Sequence, residues 1–218
     1  MGSEMCIRDR LAYGTRRKSD LSERKSPTIM GILFGGHVEY VKSLAPVFAL
    51  SMFLFIFSTF MGYSMGEDIP ASVFEGVLSN IPDPAEATSF EMFVAILSNN
   101  VLASFIFLAS GIVVGVPPLL FITVNGFFVG WVSYSVASEL GLGYVVSTLL
   151  PHGIIEIPAI TLCAAMGVGL GYQLINRLRR IGGLQTYVQE SLSLFVRRIV
   201  PLLIVAAVIE TGLIAVYV

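Results

Sequence analysis

The feature that most constrains the fold is a long segment of the chain that carries no basic residue. No lysine or arginine occurs between Lys42 and Arg177, although the 218-residue chain contains 13 of them. Hydrophobic residues make up 55% of the sequence and charged residues only 13%, whereas soluble domains usually carry about 25% charged residues. The sequence therefore predicts an all-α fold, a polytopic membrane helix bundle.

Five apolar stretches are long enough to cross a bilayer, which takes about 20 residues of α-helix. The consecutive prolines Pro117 and Pro118 separate the second stretch from the third and predict a tight helical hairpin. All five stretches belong to one predicted transmembrane domain, residues 30–218. The predicted spans are residues 44–63, 90–116, 119–138, 146–172 and 199–218.

Three polar segments lie outside these spans. Residues 1–29 are polar and basic and are predicted to form a disordered tail; within them EMCIRDR, residues 4–10, resembles a translated sequencing adapter, so we treat residues 1–10 as an artefact. Residues 64–91 hold six acids and no base, and apolar residues at helical spacing over 71–81 predict a short amphipathic extracytoplasmic helix. Residues 173–198 contain five arginines and one acid and are predicted to be a polar connection.

The positions of the basic residues predict the orientation. All 13 lie either in the flank that ends at Lys42 or in residues 173–198, and the positive-inside bias assigns both segments to the cytoplasm. Five spans satisfy this assignment. We therefore expect a multi-pass protein of the cell membrane with a cytoplasmic N-terminus and an extracytoplasmic C-terminus.

The few polar residues inside the predicted spans are the candidate functional residues. His152 and Glu156 are four residues apart, so they lie on the same helix face, about 9 Å and about 15 Å into the fourth span at the usual helix rise. An ionisable group at the bilayer centre costs at least about 2.5–3.5 kcal/mol, so we expect these side chains to face a shared interior and not lipid. The predicted polar intramembrane motif comprises Asn99, Asn100, Asn125, Gly126, His152, Gly153, Glu156, Pro158 and Glu210.

Two interpretations of this motif remain open from the residues alone. The polar side chains can hydrogen-bond between helices and fix their packing, together with the small residues Gly111, Gly115 and Gly130, which let helices approach closely. The same groups can form a proton or ion path. A zinc site has less support, because His152 is the only histidine in a span and its segment lacks the second histidine of an HExxH helix. We expect no metal, no cofactor and no catalytic residue.

The chain resembles the stage II sporulation protein M family of integral membrane proteins over roughly residues 38–218. The matching motifs are Asn99-Asn100, the spacing of Gly111 and Gly115, Asn125-Gly126, HGIIEIPA from His152, and Glu210-Thr211. The resemblance implies an all-helical bundle and, from the family's namesake in spore formers, an anchor for cell-wall hydrolases. It assigns no catalytic residue, and it implies a last helix that continues past Val218.

These observations lead to two expected functions. The first is a non-enzymatic membrane scaffold that recruits envelope-associated partners; the alternative is a small proton-coupled transporter or permease component that uses Glu156 and Glu210. A membrane hydrolase has less support, because Glu156 has no second catalytic group beside it in the sequence. The expected partners are the lipid bilayer, membrane or cell-envelope proteins and further copies of the chain in a homo-oligomer. Nucleic acid is not expected, because the chain has no broad basic face.

Overall fold

A computed structural model of the chain describes residues 29–73, 87–180 and 183–217. Most of the predicted tail and most of the predicted amphipathic helix over 71–81 lie outside the described residues. The chain divides into two units, residues 1–38 and 39–218. In the first unit, the described part consists of helix α1 (Ile29–Phe34) and a 3-10 turn (Gly35–His37).

The second unit is built from helices, and its described residues contain no strand. A short helix, α2 (Val38–Ser43), precedes the first long one. The longer helices are α3 (Ala45–Ser64), α4 (Ser89–Ala109), α5 (Pro117–Leu140), α6 (Leu142–Leu178), α7 (Leu184–Leu194) and α8 (Val200–Tyr217). Among the described residues, five stretches are long and apolar enough to cross a membrane. The fifth, Leu184–Val216, consists of α7 and α8 joined through a π-helical turn at Phe195–Ile199. The prediction of an all-α membrane bundle with about five spans is confirmed.

Helix α6 is the centre of the bundle and contacts every other spanning helix. It is 37 residues long and continues through two internal prolines, Pro151 and Pro158. The segment Ala159–Gly167 is buried throughout, and Cys163 and Met166 have no exposed surface. The mostly small and apolar residues of this segment explain its position, since a helix without polar groups can be enclosed on all sides.

Glycines allow the closest helix contacts. Gly130 of α5 lies against the backbone of Thr59 in α3, and Gly111, just after α4, lies against the backbone of Gly167 in α6. A side-chain carbon at either position would collide with a carbonyl oxygen of the neighbouring helix. These contacts join α3 to α5 and the end of α4 to α6, which are the two tight seams of the bundle.

The hairpin between the second and third spans differs in detail from the prediction. Helix α4 ends at Ala109 and passes into a 3-10 turn at Ser110–Ile112, instead of continuing to residue 116. Val114 and Gly115 then adopt positive φ angles of 57° and 76° and reverse the chain. Pro117 and Pro118 do not form the turn themselves: they occupy the first turn of α5, where proline lacks no helical hydrogen bond.

Residues 173–198 are a correction to the sequence interpretation. The predicted polar connection is largely helical, because α6 extends to Leu178 and α7 begins at Leu184. The arginines suggested a loop, but Arg177 lies in the last turn of α6, and Arg197 and Arg198 lie in the π-helical turn between α7 and α8. Long basic side chains can extend from such positions to the membrane surface. Helix α7 also has an apolar face on which Ser191 and Leu194 are buried, and this periodicity was hidden by the surrounding charges.

Candidate functional site

The polar residues of the spans converge on one cavity of about 390 Å³, and each of the five spans contributes to its wall. Most of the predicted motif lines it: Asn99, Asn100, Asn125, His152, Gly153, Glu156 and Glu210. Two members do not. Gly126 packs against the backbone of Phe55 in α3, and Pro158 is exposed on the side of α6. We call this space the polar chamber.

Helix α6 supplies two of the three ionisable groups in the chamber, and α8 supplies the third. The nearest ligand atoms of His152, Glu156 and Glu210 all lie within 4.8 Å of one another. The Nε2 atom of His152 is 3.9 Å from the Oε2 atom of Glu210, which is too long for a hydrogen bond. Only 9% of His152 is exposed, and its Nδ1 atom has no hydrogen-bond partner among the described residues. These three residues are the acid cluster.

A chain of side-chain amides supports the acid cluster from α4. Asn99 Nδ2 donates to Asn100 Oδ1 at 3.3 Å, and the Asn100 side chain lines the same chamber as the Glu156 carboxyl group and interacts with it. Because the oxygen of Asn100 accepts from Asn99, its NH₂ group is the part available to Glu156. Asn100 is buried, so this arrangement orients the carboxyl group inside the chamber.

A second cavity of about 220 Å³ adjoins the polar chamber. His152 and Glu210 line both cavities, so the acid cluster stands between them. The second cavity also contacts Ser133 of α5 together with Tyr144 and Thr148 of α6. Since Tyr144 and Thr148 belong to the first two turns of α6, the second cavity leads from the acid cluster towards the 141–143 end of the bundle.

Towards the other end of the bundle, α6 is enclosed by packing and by hydroxyl groups of neighbouring helices. Beyond the chamber, α6 continues as the fully buried segment Ala159–Gly167. The Tyr187 hydroxyl donates to the Met166 carbonyl at 2.8 Å, and Tyr40 hydrogen-bonds Ser191 at 2.6 Å between their hydroxyl groups. Burial raises the pKa of Tyr40 above its usual value, so this hydroxyl keeps its proton and the hydrogen bond.

The chamber can hold a cation or exchange protons. Two carboxyl groups and an imidazole share one space, and its lining contains no lysine or arginine among the described residues. The three groups are also a donor set that could bind a metal ion. Among the described residues, the chamber lining includes no serine, threonine or cysteine.

Sequence reasoning missed the residues of the second cavity and the hydroxyls at the closed end. Ser133 and Thr148 bond to carbonyls of their own helices, at Val129 (2.7 Å) and Tyr144 (2.9 Å). Serine and threonine do this in many membrane helices, so their presence gives no signal of a cavity. Their role follows only from the packing of α5, α6 and α8.

Comparison with known proteins identifies the relatives of the chain. The family model for stage II sporulation protein M matches residues 51–213. The uncharacterized protein MJ0706 of Methanocaldococcus jannaschii is 30% identical over 173 residues, which cover 77% of each chain. The uncharacterized protein MJ0793 of the same organism is 36% identical over 83 residues, or 37% of this chain and 46% of that protein. No solved structure matches the chain significantly.

The matched region covers most of every helix that surrounds the polar chamber and every residue of the acid cluster. Five apolar helices make the chain a multi-pass membrane protein. The chain belongs to the stage II sporulation protein M family of integral membrane proteins.

Proposed function

We propose that this protein is a small proton-coupled transporter, or the permease component of one, whose coupling groups are Glu156 and Glu210. The observation that carries this proposal is the polar chamber: all five spans surround a space into which two carboxyl groups and an imidazole project. Placing ionisable groups inside a bilayer is costly, and in membrane proteins such groups mark ion and proton pathways.

The packing of the bundle favours a binding role for the acid cluster over a structural one. The closest helix contacts are made by glycines at two seams, between α3 and α5 and between the end of α4 and α6. At the acid cluster, by contrast, the side chains border a cavity, and His152 lacks a hydrogen bond at Nδ1. Residues that served only to join helices would be expected to satisfy one another and leave no space.

The two cavities support access from one side. The second cavity connects the acid cluster to the 141–143 end, whereas the buried segment of α6 closes the opposite end. We assign the 141–143 end to the outside of the cell. Arg177, Arg179, Arg180 and Arg197 are exposed at the other end, and the hydrogen bond between Tyr40 and Ser191 holds Tyr40 of α2 at that same end. The positive-inside bias then makes the N-terminal side cytoplasmic and the end of α8 extracytoplasmic.

Proton flux into reconstituted vesicles tests the proposal. Vesicles that contain the purified protein and an internal pH-sensitive dye are given a pH gradient, and the potential is clamped with potassium and valinomycin. We expect the wild-type protein to dissipate the gradient and E156Q and E210Q to be inactive. The matched control E139Q removes an exposed acid at the end of α5 and should behave as wild type. Flux equal to that of empty vesicles, or unchanged flux in both E156Q and E210Q, would contradict the proposal.

A second candidate function is the membrane scaffold that the family resemblance implies. One observation favours it: the exposed arginines at the cytoplasmic end form a basic surface that an acidic protein segment could bind. Purification in mild detergent, with the neutral variant R177Q/R179Q/R180Q as control, tests this role. A partner that copurifies with the wild type and not with the variant would support it, and the absence of any copurifying partner would count against it.

A further inference from the structure

We infer that His152, Glu156 and Glu210 form a binding site for a divalent first-row transition-metal cation. The inference deepens the proposed function, because this cation would be the cargo of the transporter. Only the role as cargo rests on the proposed function; the binding rests on the geometry of the acid cluster.

The spacing of the three side chains fits a shared ion. Metal–ligand distances for imidazole nitrogen and carboxylate oxygen are about 2.0–2.2 Å, so two ligands of one ion lie at most about 4.4 Å apart. The His152 Nε2 to Glu210 Oε2 distance of 3.9 Å falls within this limit. The nearest ligand atoms of all three residues lie within 4.8 Å, so small side-chain rotations bring them onto one ion.

His152 gives independent support, because it is buried and yet incompletely bonded. Only 9% of the residue is exposed. Its Nδ1 atom is enclosed and makes no hydrogen bond to any described residue. Nearly all buried polar atoms in proteins have a partner. A metal ion bound to a ring nitrogen would give this incompletely bonded imidazole a partner inside the chamber.

The charge of the chamber also favours a divalent cation. Glu156 and Glu210 carry two negative charges when ionised, and no lysine or arginine lines the chamber among the described residues. Two carboxylates in a low-dielectric space need a compensating charge, and one divalent ion provides it. The paired amides of Asn99 and Asn100 line the chamber beside Glu156, where outer-shell groups lie at known metal sites.

The donor types indicate which metals the site prefers. One imidazole and two carboxylates suit Zn²⁺, Mn²⁺ or Fe²⁺; magnesium and calcium prefer oxygen ligands alone, and Cu⁺ prefers sulfur. The fully buried thiol of Cys163 does not line the chamber. The cavity volume of about 390 Å³ leaves space for water molecules to complete the coordination shell.

Direct metal binding tests the inference. The full chain, purified in mild detergent without a histidine tag, is stripped with a chelator and titrated with Zn²⁺ and with Mn²⁺ by calorimetry, and retained metal is counted by mass spectrometry. We expect about one equivalent of bound metal in the wild type. E156Q and E210Q should each weaken binding by at least about tenfold. E139Q and H37Q, which change an acid and a histidine outside the chamber, should bind as wild type.

A spectroscopic measurement on the wild type tests the inference even if a variant folds poorly. X-ray absorption of the zinc-loaded wild type should show one imidazole nitrogen and otherwise oxygen ligands, with no sulfur. A folded wild type that retains no metal, a shell that contains sulfur, or binding unchanged in both folded E156Q and E210Q would overturn the inference. Proton flux without metal binding would refute this inference and leave the proposed function standing. Metal binding without any proton flux would refute the proposed function, whereas the inferred metal site would stand.

Discussion

At the scale of single residues, Glu156 combines an ionisable group with a polar contact to Asn100. The carboxyl group interacts with Asn100 on α4 and shares the chamber with Glu210. Glutamine keeps a polar partner for Asn100 but removes the ionisable group. Alanine removes both. The two substitutions therefore separate the role of this residue in stability from its role in function.

We expect E156Q to unfold at a temperature equal to or a few degrees above that of the wild type, while it loses flux, because burial of a carboxylate is costly. E156A should be less stable than E156Q by about 1–3 kcal/mol, because it leaves the buried Asn100 amide without its partner. Thermal unfolding can be followed in a C6S background with a thiol-reactive dye, since Cys163 is fully buried until the bundle opens. Equal midpoints for E156Q and E156A would show that the bond to Asn100 contributes nothing.

The sequence identified the polar residues within the spans, but it did not show that residues from different helices come together in one chamber. His152 and Glu156 could be placed on one helix face because a helix repeats every 3.6 residues. Their proximity to Glu210, more than fifty positions later, depends on the packing of α8 against α6. The sequence expectation of no metal site followed from the presence of a single histidine in the spans and the lack of an HExxH helix, and it did not consider a carboxylate ligand from another helix.

At the scale of helices, the glycine seams set how closely α3 approaches α5 and how closely the end of α4 approaches α6. Gly130 lies against the backbone of Thr59, and Gly111 lies against the backbone of Gly167. A methyl group at either position must displace a helix. Gly212 of α8 provides a matched control, because an added side-chain carbon there meets nothing within 4 Å.

We expect G111A and G130A to destabilise the bundle by about 1–3 kcal/mol each, the usual cost of overpacking. G212A should instead stabilise it by about 0.5–1 kcal/mol, because alanine restricts the unfolded chain more than glycine does. The thiol-dye unfolding assay described for Glu156 measures all three variants. Loss of stability in G212A similar to that in G111A would mean that close backbone packing is not what these glycines provide.

The number of helices could be predicted from the sequence, whereas several of their ends could not. Long apolar stretches without basic residues indicate spans, because few other structures tolerate them. The ends of α6 and α7 were missed because arginines at helix termini resemble those of a polar loop. The start of α4 is fixed by a capping box between Thr88 and Glu91, although Glu91 was counted as part of the acidic segment.

At the scale of the whole molecule, the two cavities and the buried part of α6 predict unequal access from the two sides. Ser133 and Thr148 line the cavity that leads to the 141–143 end. Thr161 lies in the buried segment of α6 and has no exposed surface. Arg179 is exposed at the opposite end. Each position can carry a single cysteine in the C6S background, where the enclosed Cys163 should remain unreactive.

We expect a membrane-impermeant maleimide added outside intact cells to label S133C and T148C. T161C should remain unlabelled from either side, and R179C should react only after the membrane is permeabilised. The readout is the mass shift of the protein on a gel. Labelling of S133C and T148C only from the cytoplasmic side would reverse the proposed orientation, and labelling of T161C would contradict a closed end.

The central claim is that the hydrophilic side chains of separate helices meet inside the bundle, and proximity between α6 and α8 tests it most directly. The pair H152C/E210C is placed in membranes and treated with a short bifunctional thiol reagent, with H152C/V208C as the control because Val208 is 57% exposed on the outside of α8. We expect rapid cross-linking within the chain for H152C/E210C and none for H152C/V208C. Cross-linking of the control pair alone would show that His152 and Glu210 face apart, and would contradict the account.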